Sequence, residues 1–143
     1  MRNRSVPTDV LLPHIAYENV AEALAWLTDT FGFQERYRYG NPATPAGAQM
    51  TFGQAVFMIE STRPGRTTPA QSGTWTQMLT VFVEDVEAQY QKVKAKGAPI
   101  AEDLNDTVYG ERQFGVLDLA GHFWLFSQHV QDADPTSWGA QTK

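Results

Sequence analysis

Two stretches of this chain open alike and continue alike. Residues 12–20 lead into an apolar-periodic run, and residues 79–86 lead into another about 66 positions later. A strand followed by a helix, present twice, reads as two copies of one supersecondary unit, because either copy alone has too little apolar face to fold. With 143 residues, 42% of them hydrophobic, the chain fits one compact domain or two small halves sharing a core, and is long enough to bury a pocket.

The first module spans about 11–61. Residues 11–17 form a short apolar run, a buried strand, and Asn19 stands where an N-cap is needed. Val20, Ala23, Leu24, Leu27 and Phe31 then recur at three- and four-residue steps, which predicts a helix over 20–30 with one face on a sheet. Gly32 ends it. Residues 34–39 alternate Tyr37 and Tyr39 against Arg36 and Arg38, a half-exposed strand, and a loop carrying Gly40, Pro42, Pro45 and Gly47 follows. Residues 48–52 and 55–60 flank Gly53-Gln54 as the arms of a hairpin. Residues 62–74 hold Pro64, Gly65, Pro69 and Gly73 without periodicity and read as a linker.

The second module, about 75–129, repeats the order. A strand over 77–83 precedes Asp85, which caps a helix whose Val86, Tyr90 and Val93 share a face before Gly97. Lys92, Lys94 and Lys96 near its end complement the helix dipole. Strands follow over 100–104, 112–117 and 122–128. The tail, 130–143, is polar apart from Trp138 and a leading Val130.

Composition removes several functions. A formal charge of -5 leaves no basic stripe for phosphates, so nucleic acid is not an expected partner. The absence of cysteine removes disulfides, thiolate nucleophiles and Cys-ligated zinc together. Residues 1–9 are polar, with Arg2 and Arg4 but no apolar segment behind them, and no run approaches a membrane span; the expectation is a cytoplasmic protein without a membrane partner. No serine sits in a nucleophile elbow, and no glycine-rich phosphate loop follows a strand.

Two strings carry a family likeness: Tyr109-Gly110-Glu111-Arg112-Gln113-Phe114-Gly115-Val116, and Asp118-Leu119-Ala120-Gly121-His122-Phe123-Trp124. They resemble the aromatic strands and the intervening turn of the vicinal oxygen chelate superfamily, which includes glyoxalase I, extradiol dioxygenases and bleomycin-resistance proteins. Leu119 stands where proline is usual. Pro13-His14-Ile15 and residues 23–33 are similar as well, so the likeness covers roughly 11–129. It implies an α+β fold in which two βαβββ modules form curved half-barrels around a cavity, commonly in a homodimer.

The resemblance also implies a metal test. Family enzymes hold a divalent ion, such as Zn, Ni, Mn or Fe, with His or Glu from the first and last strands of each module, leaving positions open for substrate oxygens. Here His14 falls at the first place, and the carboxylate of the fourth strand falls near Met58 or Glu60. The second module offers Gln77, Met78 and Thr80 on its first strand, and Leu125 four residues beyond the turn glycine. A thioether and an isobutyl group do not replace harder ligands. His14 and Glu60 remain the metal candidates, and the reading adopted has no cofactor.

By alternation, Tyr37, Met50, Phe52, Met58, Met78, Phe82, Tyr109, Phe114 and Leu125 are the residues expected to line the cavity, with His14, Glu60 and Arg112 orienting a guest. Competing structural readings make His14 a core histidine bonded to backbone, His122 and His129 surface groups, and Arg112 a counter-ion to Glu60. The reading is a binder of a small apolar or aromatic molecule, similar to the bleomycin-resistance type that sequesters an antibiotic. Two alternatives stay open: a metal-dependent glyoxalase-like lyase, isomerase or dioxygenase, and metal-free acid–base catalysis by His14 or Glu60.

Overall fold

A computed structural model describes residues 1–7 and 11–143. The chain falls into two compact units, Met1–Gly73 and Thr74–Lys143, each an α+β module with an open four-stranded mixed sheet. Thr8 and Asp9, part of the N-terminal stretch judged polar above, and Val10 lie outside the described residues.

The first unit runs β1 (His14–Tyr17), α1 (Val20–Phe31), β2 (Gln34–Gly40), β3 (Pro45–Phe52), β4 (Ala55–Ser61) and a short α2 (Pro69–Ser72). Its sheet has the order β1-β4-β3-β2, with β1 parallel to β4 and the other pairs antiparallel. Asn19 caps α1 by accepting a hydrogen bond from Glu22 N, and Gly32 closes it at φ 83°, where a side chain would be strained. Val20, Ala23, Leu24, Leu27 and Phe31 are all buried, as their spacing predicts. They meet one face of the sheet: Ile15, Tyr17, Ala48, Met50, Phe57 and Ile59. Phe33 anchors this core edge-on to Phe31, Phe52 and Phe57, with centroids 5.3–5.4 Å away. Burying a ring of this kind contributes about 1.5–3 kcal/mol.

Three local expectations change. β3 begins at Pro45, so Pro45 and Gly47 belong to a strand rather than a loop; Pro45 sits at the end of the ladder opposite Gly40, where its missing N–H costs nothing. In β2, Glu35 pairs with Met50 and Tyr37 with Gln49, so Arg36 is an extra residue and the simple alternation is broken by a bulge. Arg36 and Tyr37 consequently both reach the fully buried Gln49: Arg36 donates to its Oε1, and Gln49 Nε2 donates to Tyr37 Oη at 3.1 Å. The segment read as a linker also has structure. Arg63 and Arg66 exchange backbone hydrogen bonds, and Thr68 and Gln71 form a capping box around α2.

The second unit runs β5 (Met78–Phe82), α3 (Val86–Ala95), β6 (Ile100–Asp106), β7 (Glu111–Leu117) and β8 (Phe123–His129), in sheet order β5-β8-β7-β6, the same topology as the first. Asp85 caps α3 through Ala88 N, and Val86, Tyr90 and Val93 face the sheet. Under α3 lie Phe114, Val116, Trp124 and Phe126, with Tyr90 edge-on to Phe114 at 5.1 Å. Beyond β8 the chain turns back over Gly110, whose carbonyl accepts from both Val130 and Gln131. Trp138 packs against Tyr109, with centroids 5.9 Å apart. Among the described residues no helix is long and apolar enough to cross a membrane.

Candidate functional site

In the first unit, α1 takes one face of the sheet; the other is buried at Ala16, Gly47, Gln49 and Met58 and exposed at its rim, at His14 and Tyr39. Register decides who stands there. His14 pairs with Met58, Ala16 with Glu60, Glu60 with Gly47, and Gly47 with Tyr39. Glu60 is therefore flanked across the strands by alanine and glycine, and that lack of bulk leaves space above its carboxylate. Tyr39 leans over Gly47 into the same space.

Glu60 is held at both oxygens. His14 Nδ1 lies 2.9 Å from Oε1, and the Arg66 guanidinium donates to Oε2. Burial pushes the Glu60 carboxyl up, but hydrogen bonds from His14 and Arg66 and the Arg66 charge outweigh it and leave it below the ordinary carboxylate range. Burial, with the nearby Glu60 charge, raises the Tyr39 phenol, which therefore stays a hydroxyl donor across the physiological range. Arg66 is delivered by the turn Arg63-Pro64-Gly65-Arg66, with proline second and Gly65 at φ 81° third, the residue pattern of a type II turn. These groups line a cavity of about 600 Å³.

Of the residues singled out in the first module, the structure brings His14 and Glu60 into contact and places Met58 with them on the open face; Tyr37 is reached through Gln49. His14 is not a core histidine bonded to backbone: its side chain is 46% exposed and bonded to Glu60. Met50 and Phe52 do not face the open side. Met50 is fully buried, and Phe52 packs on Phe33, because their positions in β3 have the parity of the helix-covered face.

The second unit obeys the same parity. Met78, Thr80 and Phe82 of β5 share the open face with Phe123, Leu125 and Ser127 of β8, and with Glu111, Gln113 and Gly115 of β7. Phe114 lies under α3 instead. Arg112 also points to the helix side, where it binds Asp106 at 2.7 Å and Glu87 of α3 at 2.7 Å; these acids, rather than Glu60 or a guest, hold it charged well above its usual range. Leu125 is buried, but Met78 and Phe82 remain 43% and 55% exposed. Trp75 stacks on Phe123 at 5.0 Å and is itself 49% exposed, so an apolar strip runs along the edge strand β5. Tyr109 precedes β7, with its hydroxyl 3.4 Å from Gln113 Oε1.

A second His–carboxylate pair was not anticipated. Glu111 accepts from Ser127 Oγ at 2.6 Å and contacts His129 Nδ1, while the His129 ring stacks on Phe82 at 4.8 Å. His129 is thus a partnered group. Glu111 and His129 are direct cross-strand partners, a relation visible only once the β7–β8 register is known.

The paired registers also identify the positions where a divalent metal would be held. Asn19 and Asp85 cap equivalent helices, and each stands five residues beyond His14 and Thr80 respectively, so these two are equivalent. Their partners on the last strands are Met58 and Leu125. In the first unit these places carry an imidazole and a thioether, and in the second a hydroxyl and an isobutyl group. The His14–Glu60 hydrogen bond would suit an imidazole ligating through Nε2. A single imidazole does not make a site, and Glu60 has both oxygens engaged beside a guanidinium that opposes a cation. Among the described residues no group of three or more His, Asp or Glu is arranged to hold a metal ion. In neither unit do the two groups at these places match the imidazole and carboxylate donors that a divalent ion takes.

Twin βαβββ modules with parallel outer strand pairs and one open face apiece define the paired-module class that the sequence strings resemble. The family model for the Glyoxalase/Bleomycin resistance protein/Dioxygenase superfamily matches residues 10–126, and the chain belongs to that superfamily. Among solved structures it is similar to TioX from Micromonospora sp. ML1, at 31% identity over 84% of this chain and 98% of that one, with a TM-score of 0.72. It shares its fold with the fosfomycin resistance protein FosX of Listeria monocytogenes, at 13% identity over 86% of this chain and 94% of that one, TM-score 0.63. An uncharacterized protein of Mycobacterium tuberculosis is 26% identical over 130 residues, 87% of this chain and 76% of that protein.

Proposed function

We propose that this protein binds a small, largely apolar or aromatic molecule and acts by capturing it, without a complete metal centre. The observation that supports this reading is the replacement of donors at register-equivalent places within each unit: Met58 partners His14 in the first, and Thr80 and Leu125 partner each other in the second, where the family resemblance implies imidazole and carboxylate ligands. What the open faces offer instead is contact area. Met78, Phe82 and Trp75 leave apolar surface in solvent along β5, and exposed aromatic area of this kind is the usual mark of a binding surface. The superfamily's model takes in bleomycin-resistance proteins, which supports a protective role against a toxic compound such as an antibiotic. The proposal includes action in the cytoplasm as a homodimer, with no nucleic-acid or membrane partner.

The first test is metal content by mass spectrometry of protein purified without a nickel column, before and after incubation with Mn, Fe(II), Ni and Zn. No retained ion, together with quenching of tryptophan fluorescence by planar aromatic compounds that is weakened in Trp75→Phe, is the expected result. A stoichiometric ion lost on His14→Ala would instead favour a lyase or dioxygenase.

A further inference from the structure

We propose that the cavity of the first unit recognises the oxyanion of a negatively charged guest, a carboxylate, sulfonate or phosphonate, with Arg63 as the primary contact and the Tyr39 hydroxyl as a second donor. The inference rests on the capture reading and adds to it the charge of the ligand.

The argument is one of local charge. Two guanidinium groups, those of Arg63 and Arg66, line the cavity, brought to the same side of one tight turn by the paired backbone bonds Arg63 N to Arg66 O, 3.1 Å, and Arg66 N to Arg63 O, 2.8 Å. The cavity holds a single carboxylate, Glu60. Its two oxygens are taken by His14 and Arg66. Among the described residues the Arg63 guanidinium has no acidic partner, so the groups lining the cavity leave one positive charge uncompensated. They do so in a chain whose formal charge is -5.

An unpaired guanidinium presents a planar fork of donors that matches an oxyanion, and such charge-assisted hydrogen bonds are about twice as strong as neutral ones. Arg66 is already committed to Glu60, which leaves Arg63 the freer of the two. Tyr39 can serve beside it. Its ring lies over Gly47, its phenol is kept protonated by burial and by Glu60, and a neutral hydroxyl there donates without adding negative charge. The Ala16–Glu60–Gly47 row beneath supplies a low floor. Glu60 itself repels an anion from the floor and favours its placement at the Arg63 end.

The test uses two dyes of one ring system on the full chain: 8-anilinonaphthalene-1-sulfonate, which is anionic, and N-phenyl-1-naphthylamine, which is neutral. The sulfonate is expected to bind about five- to tenfold tighter than the neutral dye at low salt, a preference that shrinks as ionic strength rises. Arg63→Gln should abolish the preference, through loss of sulfonate affinity. Arg112→Gln, which removes the same charge from the helix side of the other unit, should leave the preference intact. Equal binding of both dyes to the wild type, or a preference that survives Arg63→Gln, overturns the inference and leaves capture standing. Failure of both dyes to bind overturns the capture reading and this inference with it.

Discussion

The hydroxyl of Tyr39 lies directly over Gly47: a Cβ placed on that glycine would come within 2.2 Å of the Tyr39 oxygen. Gly47 has no need of its own conformational freedom, so the constraint is space alone. The obstructing atom is the far end of a side chain, and Tyr39 can swing outward. Gly47→Ala should therefore fold with a stability loss under about 1 kcal/mol. It should also expose the phenol and bring its titration down toward that of free tyrosine, since burial is the first cause of its raised value. Spectrophotometric titration of the tyrosines checks this; an unchanged profile would mean that Tyr39 is not held over the strand.

Gly110 is the opposite case. Its φ is 88°, and an added Cβ would stand 2.1 Å from the backbone oxygen of Gln131, which has no rotamer by which to escape. Gly110→Ala must strain its own backbone and push away the segment that Val130 and Gln131 tie to the Gly110 carbonyl. A loss of about 1–3 kcal/mol is expected, with faster proteolysis confined to the chain after His129. A melt and a cleavage map are the measurements.

The Glu60 carboxyl is held below its ordinary value in the folded protein, so in the unfolded chain it binds its proton at higher pH. Its contribution to stability is complete above the unfolded carboxylate range and is lost as pH falls through the folded value. Denaturant midpoints should decline on acidification through that window, and Glu60→Gln should remove this part of the decline. Arg66→Gln should move the window upward, because one of the interactions that lower the carboxyl would be gone. A midpoint–pH curve identical in wild type and Glu60→Gln would show that the pair contributes nothing.

The sequence carries the module order because caps and periodicity are local. Asn19, Asp85 and Gly32 mark helix ends by chemistry that needs no tertiary partner, and the stripe from Val20 to Phe31 states which face is covered. The open faces are harder to read. Alternation places Met50 and Phe52 on one side of β3 and Gln49 on the other, but only the packing of α1 decides which side lies under the helix, and the expectation chose the wrong one for both. The same ambiguity misplaced Phe114 and Arg112. Glu60 drew attention in the sequence because it is a carboxylate near a strand end, and its contact with His14 follows from the β1–β4 register. Its second partner, Arg66, was hidden because the turn that delivers it looks, in one dimension, like linker. The Glu111–His129 pair depends on register across two strands, which no spacing in the chain encodes.

Asp118 offers the sharpest test of the turn that the family strings share. It is 4% exposed, and its carboxylate organises three donors: Oδ1 accepts from Ala120 N at 2.9 Å and from His122 N at 3.0 Å, and Oδ2 accepts from Trp124 Nε1 at 2.9 Å. One acid thus fixes both the turn and the ring of the buried Trp124 under α3. Asp118→Ala strands these donors where water reaches them poorly and should cost about 2–4 kcal/mol. Asp118→Asn keeps one acceptor oxygen but sets an amide N–H against another donor, so it should lose roughly half as much. Urea melts followed by tryptophan fluorescence measure both. The ordering is the informative part: if asparagine proves as damaging as alanine, the negative charge matters more than the count of acceptors. If both variants melt with the wild type, Leu119 and Gly121 hold the turn without the acid.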